Sequence, residues 1–144
     1  MKRELALRTW RRAAESLGAA ESLARMGYNA DAVSRAYYAV FYAARAATCA
    51  ADIPESRTHK GAIYLFREHL VLAGGLEHEW AEKFALAYTA RHNVDYEILS
   101  AVSADDAAMR CSDARLFVER MRKYLLDMGL TVKELDSAAA CDNP

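Results

Sequence analysis

Between Ser103 and Gly129 the apolar residues Ala107, Cys111, Ala114, Val118, Met121, Leu125 and Met128 recur in alternating steps of four and three. That period lies close to the 3.6-residue repeat of an α-helix and sets these side chains on one face, which must bury against another apolar face. The same pattern recurs upstream. From about Glu4 to Met26, Ala6, Trp10, Ala14, Leu17 and Ala24 share a face, and Gly27 supplies a stop. Asn29 or Asp31 is placed to cap a second helix running to about Ala50, with Val33, Tyr37, Val40, Phe41 and Ala44 as its stripe. Asp52, Pro54 and Ser56 mark a loop, after which Thr58 offers a cap for a short helix ending near Gly74-Gly75. A fourth helix is expected over about Glu77 to Val102. Ser103 and Asp106 then form a capping pair for the fifth. No segment carries the period-two alternation of a strand, so the chain reads as an all-α, antiparallel up-and-down bundle of four long helices plus a short one. Residues 1–130 form the expected single domain. Residues 131–144, poor in large apolar side chains after Asp136, are expected as a loosely ordered tail.

The balance of charges excludes some functions. A net charge of −1 over 144 residues argues against a generally basic nucleic-acid binder, so any contact with phosphates must come from a local patch. Cys49, Cys111 and Cys141 are odd in number and lack CxxC spacing, which points away from a disulfide framework or zinc knuckle and toward a reduced cytoplasm. Lys2, Arg3, Arg8, Arg11 and Arg12 are followed by no apolar run, so neither a signal peptide nor a membrane span is expected. His59, His69, His78 and His92 show no ligand spacing; no metal or other cofactor is called for.

Against this background one segment breaks its own pattern. At about 100° per residue, Arg91 and Asp95 fall on the stripe of Trp80, Phe84, Ala87, Tyr88, Ile98 and Val102. Isolating one partner of a buried ion pair costs about 3–5 kcal/mol, so the two are expected to pair with each other, with another chain or with a ligand. Glu21 projects from the face of Trp10 and Leu17 and offers a counter-charge for Arg91, unless the helix frays beyond Gly18. A purely structural role, fixing helix register, stands beside the functional one. Ser34, Tyr38 and Arg45 form a polar-aromatic strip suited to a subunit contact or to lining a cleft beside Arg91. Arg57, His59 and Lys60 gather at a helix start, where free amides favour a phosphate, although a solvated capped turn has the same composition.

Two segments taken together resemble a known family. Ser34-Arg35-Ala36-Tyr37-Tyr38-Ala39-Val40-Phe41-Tyr42-Ala43-Ala44-Arg45 is similar to the second-helix motif of HEPN domains, in the branch of small stand-alone prokaryotic proteins. Thr58-His59-Lys60-Gly61, Phe66, and Arg91 followed by Asp95-Tyr96 match that branch in order and spacing, so that the resemblance covers about Trp10 to Tyr124. It implies a dimerising bundle of four to five helices, often encoded beside a small nucleotidyltransferase in a toxin–antitoxin arrangement. Many members are metal-independent ribonucleases in which an arginine, followed after four to six residues by a histidine, offsets phosphate charge while the histidine moves protons near the ribose 2′-hydroxyl. The resemblance places Arg91 at the arginine position. The histidine position falls on Tyr96, Glu97 or Ile98, while His92 lies about 100° around the helix from Arg91. Tyr96 corresponds to a tyrosine that partner nucleotidyltransferases adenylylate.

The expected function is therefore an RNA- or nucleotide-associated component of a toxin–antitoxin-like pair, a homodimer without the standard ribonuclease pair. Two alternatives stand beside it. One is a divergent metal-independent endoribonuclease using Arg91 with Asp95, His92 or Tyr96, and the other is an interaction bundle with no nucleic-acid role.

Overall fold

Gly27, at φ +86°, turns the chain back after α1 (Arg3–Arg25) and starts α2 (Asn29–Ala50) antiparallel to it. The computed structural model describes residues 1–97 and 101–140, and these contain helices and connections but no strand. α1 buries Ala6, Trp10, Ala13, Leu17 and Ala20, the four-three rhythm of a single packed face. It runs unbroken through Gly18, which removes the frayed-end reading of Glu21.

α2 is buried around most of its circumference. Ala32, Ala36, Ala39, Ala43, Ala46 and Ala47 are all nearly inaccessible, and such small side chains let neighbouring helices approach from several sides. α2 accordingly packs against α1, α4 and α5 and forms the centre of the bundle. Its start differs from the expected cap. Tyr28 holds the N-cap position, while Asn29 donates from Nδ2 to the Val102 carbonyl at 3.1 Å and so ties α2 to the α4–α5 connection.

Thr58 caps α3 (His59–Leu65) as expected, its hydroxyl accepting from the Gly61 amide at 2.9 Å. The helix then widens into π-type turns over Phe66–Leu72. These turns aim Phe66, Leu70 and Val71 inward. Phe66, Phe84 and Phe117 meet with ring centroids 5.6 to 6.0 Å apart and form the aromatic centre joining these turns, α4 (His78–Tyr96) and α5 (Ala104–Asp127). Ser103 accepts from the Asp106 amide at 3.0 Å and opens α5 where the sequence predicts.

Two expected boundaries are corrected. α4 ends at Tyr96, not near Val102; Ile98, expected on its stripe, lies outside the described residues. The segment expected as a loose tail opens instead with α6 (Val132–Ala139). Thr131 and Glu134 form a reciprocal capping box, Leu135 is fully buried, and the helix packs on α1 through an Arg3–Glu134 ion pair of 2.6 Å. A single large apolar residue suffices to dock so short a helix, and composition averaged over the segment hides it. Among the described residues no helix is long and apolar enough to cross a membrane.

Candidate functional site

The site forms where α2, α3 and α4 converge. Tyr37 stands at its floor, only 1% exposed, because its position on α2 faces both α3 and α4. Its ring lies against Tyr38, Phe41, Phe84 and Tyr88 at centroid distances of 5.4 to 6.5 Å. Its hydroxyl bonds the His59 Nδ1 at 2.6 Å. Burial pushes the Tyr37 phenol well above its ordinary pKa, so it stays neutral. Burial first, and then the charges of Arg91 and Arg45, push the His59 imidazole below its ordinary value of 6.5. Near neutral pH the ring is thus mainly uncharged, with Nδ1 engaged by Tyr37.

Arg91 completes the group from α4. Its guanidinium carbon stands 5.0 Å from the Tyr38 ring centroid and 5.7 Å from that of Tyr37. Nη2 pairs with Asp95 Oδ2 at 3.2 Å, and Ser34 Oγ reaches Asp95 Oδ1 at 3.5 Å. Nε of Arg91 is buried and makes no hydrogen bond among the described residues. The expected inward charge pair is therefore half realised. The two side chains retain 26% and 36% exposure, so they sit on the rim of the bundle, where such a pair is worth less than about 1 kcal/mol. The stripe is greasy only through Phe84, and Tyr88 and Arg91 belong to its solvent-facing end.

The remaining candidates divide. Glu21 does not meet Arg91; it takes a two-pronged bond from Arg115, at 2.8 and 2.6 Å, on the α1–α5 side. His92 occupies a neighbouring column of α4, its ring 6.2 Å from that of Tyr88 and 4.6 Å from that of Tyr96, and both His92 and Tyr96 are exposed. Of the basic cluster, His59 turns inward to Tyr37, whereas Arg57 and Lys60 stay on the surface. Of the polar-aromatic strip, Ser34 reaches Asp95 and Tyr38 lies under Arg91; Arg45, further along α2, pairs with Glu55 and lies over the Phe41 ring at 5.4 Å. No group of three His, Cys, Asp or Glu side chains able to hold a metal ion occurs among the described residues.

Sequence reasoning missed that His59 and Arg91 border the same two rings, Tyr37 and Tyr38. The family resemblance places the imidazole on the helix of the arginine, and the fold brings one from α3. The Thr58 cap fixes the orientation of the first turn of α3, but which helix that turn faces is decided by packing. Arg35, with its guanidinium 4.6 Å from the Tyr38 centroid, was likewise not singled out as a site residue. Together these groups can hold a phosphate ester: a rim cation with free donors, a neutral imidazole, and a rigid aromatic floor that keeps both in place.

The sequence that builds this bundle matches the family model described as HEPN domain over residues 6–124. The chain belongs to the HEPN family. Its relatives include the protein named "Putative toxin MJ0142" of Methanocaldococcus jannaschii, 28% identical over 126 residues that cover 88% of this chain and 85% of the relative. A UPF0332 protein of Archaeoglobus fulgidus is 36% identical, covering 83% and 93% of the two chains. The UPF0332 protein glr0978 of Gloeobacter violaceus is also 36% identical, covering 79% and 90%.

Proposed function

We propose that this toxin-like HEPN protein is the RNA-associated member of a two-component pair, acting in the cytoplasm as a homodimer and working with a nucleotidyltransferase. The observation that carries this reading is the setting of Arg91. A guanidinium seated on Tyr37 and Tyr38, restrained by Asp95 and left partly open, is arranged to receive a phosphate oxygen. The standard pairing of arginine and histidine on one helix is missing: Tyr96 and Glu97 occupy two of its three positions, the third is Ile98, and His92 sits in another column. Tyr96, 74% exposed at the end of α4, is open to a modifying partner.

A second reading, a divergent metal-independent endoribonuclease, is favoured by one specific observation. His59, bonded to Tyr37 and close enough to Arg91 to feel its charge, offers from α3 an imidazole of the kind that the motif positions of α4 lack.

Both readings meet one experiment. Labelled total RNA is incubated with the protein and with Arg91→Ala in chelator, and binding and cleavage are followed separately. Binding that falls at least tenfold in the variant, without cleavage by either protein, supports the first reading. Cleavage lost in the variant establishes the second. No binding even at low salt, where phosphate contacts are strongest, leaves an interaction bundle without a nucleic-acid role. Adding the product of a neighbouring nucleotidyltransferase gene with ATP should add adenylyl units at Tyr96, read by mass spectrometry.

A further inference from the structure

Beside the Arg91 cluster a second feature lies along the exposed side of α2. Arg35, Tyr38, Tyr42 and Arg45 follow one another at helical spacing, and the helix from Arg35 to Cys49 spans roughly 20 Å. Two connected hollows flank this strip. One, of about 600 Å³, opens beside His59 between Tyr38, Tyr42 and Arg57. The other, of about 570 Å³, continues past Tyr42 and Arg45 to Arg12, Arg8 and Lys2 of the α1 end.

The charges in this groove do not cancel. Its two carboxylates are already engaged, Asp52 by the Met1 amino group at 3.0 Å and Glu55 by Arg45, and Arg8 pairs with Glu4 at 2.7 Å. Among the described residues Lys2, Arg12 and Arg57 make no ion pair. Arg12 is instead stacked on Tyr42, its guanidinium carbon 5.1 Å from the ring centroid and one Nη2–H on the phenol oxygen at 3.4 Å. Arg35 and Arg91 are seated on Tyr38 in the same manner. A cation held on a ring has less freedom to lose when it binds an anion, and its plane accepts a stacked base. Exposed Glu79, Asp105 and Asp106 stand at the starts of α4 and α5, so a net charge of −1 conceals a sorted surface.

We propose that this groove is a track for single-stranded RNA, running from the Arg91 cluster along α2 and past Arg12 to Lys2, which lies beside Cys49, with phosphates on Arg91, Arg57 and Arg12 and bases stacked on the guanidinium planes that lie over Tyr38 and Tyr42. It rests on the RNA-associated reading of the Arg91 site and adds the direction and extent of the strand. A length of roughly 20 Å suits a strand of about four nucleotides or more, the lower range of single-stranded binding grooves.

The test is equilibrium binding, by fluorescence anisotropy in chelator over a salt series, of a labelled trinucleotide and a labelled dodecanucleotide of RNA. The wild-type protein should bind the longer strand more tightly and with a steeper salt dependence. Arg12→Gln should weaken the dodecanucleotide several-fold, lower its slope of log K against log salt by about 0.7, and weaken the trinucleotide less. Arg57→Gln, on a different element, repeats the measurement should the first variant fold poorly by circular dichroism. Arg91→Ala should weaken both lengths. Wild-type affinity and slope for the dodecanucleotide in both glutamine variants would overturn the track while leaving the Arg91 reading intact; indifference of both lengths to Arg91→Ala would remove that reading as well. Competition by polyglutamate as effective as that by RNA would reduce the groove to a general anion-attracting surface and overturn the proposal.

Discussion

His59 shows how a single residue takes its chemistry from its surroundings. An exposed imidazole is about half protonated at pH 6.5, whereas here burial and the nearby Arg91 and Arg45 hold the neutral form to lower pH. Its pKa is thus higher in the unfolded chain than in the folded one. As pH falls through 6.5 the unfolded state takes up the proton first, so the stability tied to the neutral ring is complete above that value and is lost on descent toward the folded pKa. Thermal melts of the wild-type protein across this interval should decline more steeply than those of His59→Gln, which lacks the titrating group. Parallel declines would show that the imidazole is as free in the fold as outside it. Arg91 was legible from sequence as a charge on an apolar stripe. Its depth was not, because helical phase tells which way a side chain leaves the axis and not how far the neighbouring helix extends to cover it.

Among the helices, α6 shows most plainly how little hydrophobic surface is needed to order a chain end. Leu135 is completely buried against the bundle, and the capping box at Thr131 supplies partners for two amides that would otherwise be left free. Leu135→Ala removes the main anchor and should lower unfolding stability by about 2–5 kcal/mol, measured by urea titration. A loss below about 1 kcal/mol would mean that α6 detaches at little cost and contributes nothing to the core. The T-x-x-E pattern from Thr131 to Glu134 was present in the sequence, and it marks a helix start wherever it precedes an apolar residue. α4 illustrates the opposite case. Its apolar spacing continues past Tyr96, yet the described helix stops there, and the Val102 carbonyl is held by Asn29 of α2, a contact 73 residues apart that no local pattern contains.

At the scale of the whole molecule, the distribution of charge matters more than its sum. Ion pairs such as Glu21 with Arg115 and Glu77 with Arg120 consume acids and bases on the α1–α5 and α4–α5 sides, leaving the exposed face of α2 with cations to spare. The proposed homodimer belongs at this scale too. Sedimentation equilibrium should report about twice the 16.0 kDa chain mass, and a monomer at micromolar concentration would confine the Arg91 site to groups from one copy. The sequence by itself determined that the chain is helical, where most helices begin, which faces they bury, and that Arg91 and Asp95 share a stripe of one of them. These are local matters, settled by spacing and by caps within a few residues. Only the tertiary structure decided that His59 bonds Tyr37 beside the rings that carry Arg91, that Glu21 turns to Arg115, and that Arg12 joins the α2 strip. Such meetings depend on which helices become neighbours and at what register, and those are properties of the packed core as a whole.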